Sequence, residues 1–190
     1  MATLGTRHER LLERDETGLI VIDVQEAFRP AIDGFDEMAA ACGLLAEGFG
    51  VLGRPVLATE QYPERLGDTV PEIADRLPEG VKPIPKLRFS ACGVDGFDTA
   101  LGDAGCRTWL VVGIETHVCV NQTVHDLLQR GHRVHVAADA VSSRTARNRE
   151  LGLEKMSAAG AVVTSAETAL FEMLEEAGSD EFKAISRLVK

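Results

Sequence analysis

Short runs of mostly apolar residues recur along the chain, and the segments between them carry apolar residues at helical spacing. Runs without regular polar alternation indicate strands of a sheet that is covered on both faces, because a half-exposed strand alternates apolar and polar residues. The segments predicted as strands are 18–24, 55–59, 81–84, 107–114, 133–139 and 161–163.

The intervening segments are predicted to be helices. In the helix predicted for 116–130, apolar residues follow at i, i+4, i+7 and i+8, which places them on one face. Thr116 is its predicted N-cap, and Gly131 is the residue expected to end it in a left-handed conformation. The other predicted helices are 35–49, 72–77, 94–104, 147–159, 166–176 and 180–189.

Strands that alternate with helices throughout indicate a parallel sheet with right-handed crossovers. We therefore predict an α/β fold: a three-layer α/β/α, Rossmann-like arrangement of six mostly parallel strands in the order 3-2-1-4-5-6. Residues 1–17 are expected to form a polar leader, and residues 18–190 a single domain. The segment 60–85 carries five prolines. Such a stretch inside a compact domain more often borders a functional site than links two domains.

Composition narrows the choice of partners. The 190-residue chain has a formal net charge of −10 at pH 7 and no run of Lys or Arg. Nucleic acids and anionic membranes call for a basic face, so neither is expected as a partner. No apolar run approaches the ~20 residues of a membrane span, and the charged N-terminal segment is not signal-like, so a cytoplasmic location is expected.

The cysteines are spaced far apart, and none belongs to a CxxC pair. This pattern predicts free thiols rather than a disulfide framework or a zinc site. The four are Cys42, Cys92, Cys106 and Cys119.

Three chemically reactive side chains come at or just after predicted strand ends. Asp23 lies near the end of the first strand, Lys86 follows the third, and Cys119 follows the central one. In an open parallel sheet, ligands bind at the carboxyl ends of the strands where the strand order reverses. With the predicted order, the first and central strands are neighbours at that point. Asp23 and Cys119 are therefore expected to lie close together, with Lys86 reaching in from the side.

These groups suit acyl transfer through a thioester. A thiol on the first turn of a helix is expected to have a lowered pKa, because the helix dipole favours the thiolate. Asp23 can accept the thiol proton, and backbone N–H groups before Cys119 can form an oxyanion hole. Each residue also has a plainer interpretation. Asp23 fits a cap or turn equally well, Lys86 taken alone better fits a solvated surface lysine, and most unpaired cysteines are small buried apolar residues.

Three motifs together carry a resemblance to a known family: IDVQ at 22–25, PKLRFSAC at 85–92 and GIETHVCV at 113–120. They are similar to the motifs of the isochorismatase-like cysteine hydrolases, and the similarity extends from Leu19 to the C-terminus. It is closest to the isochorismatase-domain-containing branch, most of whose members lack an assigned substrate.

The resemblance implies roles for particular residues. It assigns an Asp-Lys-Cys catalytic triad to Asp23, Lys86 and Cys119. It also implies a cis peptide between Ile114 and Glu115, with the N–H groups of Glu115 and Cys119 directed at the developing oxyanion. The candidates for the oxyanion hole and substrate binding are Glu115, Ile114, Gln25, Phe28 and Phe89. The resemblance further implies a small-molecule substrate, no cofactor and a homo-oligomer.

Two departures from related branches narrow the function. The nicotinamidase branch binds a metal through an Asp-x-His arrangement after the second strand, whereas this chain has TEQYP at 59–63 and no histidine between His8 and His117. No metal is therefore assigned. True isochorismatases do without the nucleophilic cysteine, so Cys119 favours C–N hydrolysis over that reaction.

Two other residues lie in or near these motifs, and a third, Arg144, lies in the loop beyond the fifth strand. His117 is not assigned as the general base, because Asp23 already fills that role. Cys92 is interpreted as a packing residue. Arg144 is a candidate for contact with an anionic substrate or an adjacent subunit, and a structural role is slightly favoured for it.

The leading hypothesis is a metal-independent cysteine hydrolase that cleaves a C–N bond of a small amide or carbamoyl-type substrate. The alternative from another class is a catalytically silent scaffold or thiol-redox protein on the same fold. Isochorismatase and nicotinamidase activities are less favoured. A dinucleotide-binding enzyme is weaker still, because no GxGxxG follows the first strand.

Overall fold

The structure is a computed structural model that describes residues 7–190. Residues 1–6 of the predicted leader lie outside this range. The described part of the leader packs on the domain, since Leu12 is fully buried and its N–H donates to Glu172 Oε2 at 3.0 Å.

The described chain forms a six-stranded sheet in which every pair of neighbouring strands is parallel. The strands are β1 (Thr17–Ile22), β2 (Val56–Gln61), β3 (Ile84–Lys86), β4 (Thr108–Ile114), β5 (Arg133–Ser142) and β6 (Val162–Thr164). Their order is β3-β2-β1-β4-β5-β6. This confirms the predicted fold class and strand order.

Helices connect the strands and cover both faces of the sheet. They are α1 (Phe35–Val51), α2 (Pro63–Leu66), α3 (Pro71–Ala74), α4 (Asp95–Ala104), α5 (Asn121–Gln129), α6 (Ala146–Ala158), α7 (Ala166–Leu174) and α8 (Asp180–Leu188). A π-helical turn (Thr116–Val120) precedes α5. No described helix has the length and apolar character that crossing a bilayer requires.

Two hydrophobic cores explain why β1 is apolar at nearly every position. Leu19 and Val21 belong to the core formed with α1, α7 and α8, whereas Ile20 and Ile22 belong to the core formed with α4, α5 and α6. Successive residues of a strand point to opposite faces, so a central strand feeds both cores. Burying such a side chain contributes roughly 1.5–3 kcal/mol.

The segment between β2 and β3 differs from its prediction. The third strand is Ile84–Lys86 rather than 81–84, because pairing with Thr59–Gln61 selects the residues nearer Lys86. The structure places α2 at Pro63–Leu66, where no helix is predicted, and α3 at Pro71–Ala74 rather than 72–77. Proline is favoured in the first turn of a helix, and here it begins both.

A glycine brings the carboxyl ends of β1 and β4 together. Gly113 has a φ of +108°, and a Cβ added there would lie 2.1 Å from the carbonyl oxygen of Ile22. A side chain at this position would therefore push the two strands apart. The close approach lets the residues that follow β1 and β4 share one site.

The helix after β4 starts differently from its prediction. Thr116 opens the π-helical turn instead of capping an α-helix, and its Oγ1 donates to the Ser142 carbonyl at 2.9 Å. The turn packs closely on α6, since a Cβ added at Gly152 would lie 2.9 Å from the Thr116 carbonyl carbon. π-Helical turns are rare and occur frequently at functional sites.

Candidate active site

Asp23 follows the last residue of β1 and is held in an unusual backbone conformation. Its φ of +54° lies in the left-handed region, which is uncommon for residues other than glycine. The side chain is 1% exposed. Its carboxylate accepts hydrogen bonds from Thr59 Oγ1 at 2.8 Å and from Lys86 Nζ at 2.6 Å. Burial raises the pKa of Asp23 above its ordinary value, although the Lys86 ammonium and the Thr59 hydroxyl oppose that rise.

Lys86 ends β3, and its ammonium is surrounded by acceptors. Besides Asp23, Nζ contacts Gln61 Oε1 at 2.7 Å and the carbonyl oxygens of Arg88 and Phe89, each at 3.1 Å. An ammonium carries three protons, so four acceptors occupy it fully. The side chain is 1% exposed. Lys86 therefore holds the Asp23 carboxylate and compensates its charge.

Cys119 is the fourth residue of the π-helical turn and is 7% exposed. Burial and the adjacent Asp23 carboxylate raise the pKa of the thiol to about 12, and Lys86 offsets only part of this effect. The expected lowering of the Cys119 pKa is therefore wrong. Desolvation penalises the thiolate, and the nearest carboxylate adds like-charge repulsion, which together outweigh the helix dipole.

These three side chains suit proton transfer that accompanies nucleophilic attack. The resting thiol is neutral, and a carboxylate with a raised pKa stands beside it to accept the proton. A base becomes more effective as its pKa approaches the operating pH. The arrangement therefore does not require a preformed thiolate.

The three residues meet at a cavity of about 490 Å³, which is within the ~300–1,000 Å³ typical of small-molecule sites. Asp23 and Cys119 form part of its wall, while Lys86 lies behind Asp23. The lining residues are Asp23, Phe28, Gln61, Tyr62, Leu66, Phe89, Ile114, Glu115, Val118, Cys119 and Arg144.

Glu115 and Arg144 form a second charged pair at this cavity. Arg144 donates to the Glu115 carboxylate from its backbone N–H at 3.0 Å, from Nε at 3.1 Å and from Nη2 at 2.7 Å. Burial acts to raise the pKa of Glu115, but the bonds from Arg144 outweigh it and lower that pKa. The peptide between Ile114 and Glu115 is cis. Arg144 thus ties the turn before Cys119 to the loop after β5.

The remaining predicted site residues differ in what they contact. Ile114, Phe28 and Phe89 line the cavity, as does Glu115. Gln25 does not. Its buried amide donates to the carbonyl oxygens of Gln61 and Gly67 and accepts from the Gln61 N–H at 2.8 Å. This geometry makes Gln25 a brace for the end of β2, and its contact with substrate stays an untested prediction.

Sequence reasoning missed two residues at the end of β2. Gln61 lines the cavity and contacts Lys86, and Tyr62 lines the cavity next to it with a φ of +41°. Their position just after a strand end was an available signal. Neither side chain is ionised or nucleophilic at neutral pH, so the residue types alone do not single them out.

A network behind the site joins the Lys86 segment to α5. Ala91 N–H donates to Thr123 Oγ1 at 3.0 Å, and that hydroxyl donates to the Cys119 carbonyl at 2.8 Å. Ser90 Oγ donates to Asp126 Oδ2 at 2.6 Å. These bonds fix the loop whose carbonyl oxygens hold Lys86 relative to the turn that carries Cys119.

The other chemically active side chains are arranged differently. His117 Nδ1 lies 3.0 Å from Ser143 Oγ, and His117 is not among the residues that line the cavity. All four cysteines are buried free thiols. Between residues 7 and 190, no group of three or more His, Cys, Asp or Glu side chains is arranged to hold a metal ion.

Comparisons with known proteins agree with the fold and the motifs. The family model described as "Isochorismatase domain" matches residues 17–168. The "Secreted isochorismatase effector Isc1" of Phytophthora sojae is 40% identical over 195 aligned positions, which cover 100% of this chain and 93% of that protein.

Two further similarities extend the comparison. "Isochorismatase domain-containing protein 1" of Danio rerio is 38% identical over 88% of this chain and 59% of that protein. A solved structure of "MAR1 Ribonuclease" from Caenorhabditis elegans superposes with a TM-score of 0.89 and 36% identity, covering 94% of this chain and 92% of that one. The predicted family resemblance is confirmed.

Proposed function

Because this chain belongs to the isochorismatase domain family, we propose that it is a hydrolase that cleaves a C–N bond of a small amide or carbamoyl-type substrate. Cys119 is the nucleophile, and the reaction proceeds without a metal. The observation that carries the proposal is the buried cluster of Asp23, Lys86 and Cys119 at the wall of a cavity of about 490 Å³.

In the first half of the reaction, Asp23 takes the proton of the Cys119 thiol as the sulfur attacks the carbonyl carbon of the substrate. The new C–S bond yields a tetrahedral oxyanion. As this intermediate collapses, the C–N bond breaks and protonated Asp23 gives its proton to the departing nitrogen. Ammonia or an amine leaves, and the acyl group stays on sulfur as a thioester.

In the second half, a water molecule attacks the carbonyl carbon of the thioester with its oxygen, and Asp23 takes a proton from that water. The C–S bond breaks, the acid or carbamate product leaves, and the sulfur recovers a proton from Asp23. Lys86 contacts no substrate in this scheme. Its fully bonded ammonium holds the Asp23 carboxylate in place and keeps its charge compensated.

The developing oxyanion needs donors, and the backbone N–H groups of Glu115 and Cys119 are the candidates. Preorganised donors of this kind typically contribute about 3–4 kcal/mol each to the transition state. The Glu115–Arg144 pair supports this role, because it fixes the turn that carries both N–H groups.

Two other functions receive less support. A thiol-redox role needs an accessible thiolate, whereas Cys119 is buried with a pKa of about 12. The Caenorhabditis elegans relative is named a ribonuclease. A net charge of −10 and mostly apolar cavity walls do not favour RNA as the substrate of this chain.

The test is a screen of small carboxamides and carbamoyl compounds for release of ammonia or amine. Cys119→Ala is expected to abolish turnover, and Asp23→Asn and Lys86→Ala to lower kcat by orders of magnitude. The matched control is Cys106→Ala, since Cys106 is also a buried free thiol but lies just before β4, at the amino end of that strand and away from the cavity at the carboxyl ends. Full activity in Cys119→Ala would overturn the proposal.

A further inference from the structure

The charged side chains at this cavity form ion pairs with each other. A site for a charged metabolite usually offers an unpaired charge of the opposite sign. Asp23 is paired with Lys86 at 2.6 Å, and Glu115 is paired with Arg144 at 2.7 Å. Each pair consists of one anion and one cation, and the thiol between them is neutral. The wall around the reactive sulfur therefore presents no net charge to a substrate.

Apart from the Gln61 amide, the rest of the wall is mostly apolar. Beyond the polar groups named above, aromatic and aliphatic side chains enclose the space next to Cys119. They are Phe28, Tyr62, Leu66, Phe89, Ile114 and Val118. Apolar surface of this kind favours binding of an apolar ligand, because both surfaces are removed from water. It does not favour binding of a carboxylate, which would lose its hydration.

We infer that the substrate is an electrically neutral amide with an apolar or aromatic acyl group. This inference rests on the proposed function, since it names the substrate class of the same site. Its basis is the juxtaposition of two internally compensated ion pairs with six apolar side chains around one buried thiol.

An anionic substrate would have to overcome two obstacles. Near the sulfur it would meet the Asp23 carboxylate, and the ammonium of Lys86 beside that carboxylate already faces four protein acceptors. At Arg144 it would have to compete with Glu115, which is 8% exposed and would be left as an uncompensated buried charge. Breaking one side of such a pair is costly.

Arg144 is the group at the cavity that could bind an anionic substrate. Its side chain is 63% exposed, and Glu115 occupies only Nε and Nη2 of the guanidinium. A substrate carboxylate at the cavity rim would therefore be expected to use Arg144. The sequence leaves contact with an anionic substrate or an adjacent subunit open for Arg144 and slightly favours a structural role, and the pairing with Glu115 supports the structural role.

The experiment compares two ligands of the same shape, 4-methylbenzamide and 4-carboxybenzamide. Binding is measured by calorimetry on Cys119→Ala, which cannot cleave them, and turnover is measured on the unmodified protein. The neutral amide is expected to bind at least about tenfold more tightly, which corresponds to ~1.4 kcal/mol. Equal or tighter binding of the carboxylate overturns the inference, as does binding of neither ligand at millimolar concentration.

Neutralising Glu115 tests whether Arg144 can attract an anionic ligand. A purely structural role of the Glu115–Arg144 pair would not make binding of such a ligand stronger or dependent on salt. In the Cys119→Ala background, Glu115→Gln leaves Arg144 uncompensated and is expected to strengthen binding of 4-carboxybenzamide about fivefold, with the gain lost at high salt. Glu150→Gln is the matched control, because it removes the same charge from an exposed Arg–Glu pair outside the cavity. An equal gain in both variants contradicts the role given to Arg144.

The ligand preference and the hydrolysis can fail independently. If the neutral amide binds preferentially but the unmodified protein releases no ammonia from any amide, the proposed hydrolysis fails and the inferred ligand class stands. If amides are hydrolysed with a preference for the carboxylate, the proposed function stands and the inferred ligand class fails.

Discussion

Replacing Lys86 with methionine tests whether the charge pair beneath the thiol is coupled as its geometry indicates. Lys86 Nζ and Asp23 Oδ2 are 2.6 Å apart, and both side chains are 1% exposed. At that separation, two unit charges attract by about 6 kcal/mol for an effective dielectric constant of about 20. Much of this attraction offsets desolvation. Removing one partner of a buried pair nevertheless typically costs ~3–5 kcal/mol, because the other charge stays buried alone.

The structure also predicts an asymmetry between the two single substitutions. In Lys86→Met the Asp23 carboxylate keeps the Thr59 hydroxyl and the Cys119 thiol as side-chain donors, whereas in Asp23→Asn the ammonium keeps Gln61 Oε1 and two carbonyl oxygens. Asparagine also tolerates the positive φ of position 23. Lys86→Met is therefore expected to lower the free energy of unfolding more than Asp23→Asn does.

Urea denaturation of the two single variants and the double variant measures the coupling. At pH 7 the double variant is expected to be less destabilised than the sum of the single variants, because neither orphan charge remains. Without Lys86, the pKa of folded Asp23 rises further above its unfolded value, so the penalty of Lys86→Met shrinks as pH falls. The change is about 1.4 kcal/mol per pH unit where only the variant takes up the proton. Strict additivity, or a pH-independent penalty, would refute the reasoning.

Three further predictions concern the thiol, the base and the sheet. Iodoacetamide is expected to modify Cys119 at pH 7.5 more slowly than free cysteine, because burial and the adjacent Asp23 carboxylate raise the pKa of the thiol; labelling of Cys119 faster than that of free cysteine would contradict this. The acid limb of the kcat/KM profile is expected to have a midpoint above the ordinary 3.8 of an aspartate, because activity needs ionised Asp23 and burial raises its pKa; undiminished kcat/KM at pH 3.8 would contradict this. Gly113→Ala is expected to lower the free energy of unfolding by about 2–6 kcal/mol through strain and overpacking. Its control Gly102→Ala, in an exposed helical position with open space, should raise that free energy by about 0.5–1 kcal/mol; equal effects of the two substitutions in urea denaturation would count against the role of Gly113.

The fold was predictable because its determinants are local and repetitive. Continuous apolar strands separated by helices require a parallel sheet covered on both faces, and the confirmed strand order then brings the carboxyl ends of β1 and β4 together. The meeting of Asp23, Lys86 and Cys119 followed from strand-end positions together with that order. A strand of only three residues, such as β3, carries little periodic signal, so its predicted bounds were misplaced.

The electrostatics of the site could not be predicted from the same positions. The expected lowering of the Cys119 pKa assumed a thiol at the open end of an α-helix. Whether a thiol is solvated, and which charge stands next to it, depends on packing between residues nearly a hundred positions apart. The same limit applies to Gln61 and to the Glu115–Arg144 pair, whose partners become apparent only once β2, β4 and the loop after β5 are placed in three dimensions.

The central claim is that Cys119 forms a covalent acyl intermediate, and intact-mass spectrometry after acid quenching tests it most directly. The protein is mixed with the best amide from the screen, quenched within one turnover, and digested to locate any adduct. We predict a mass increase equal to the acyl group on the peptide that contains Cys119, and none in Cys119→Ala. Turnover of that amide by Cys119→Ala at the unmodified rate, without an adduct in either protein, would contradict the account.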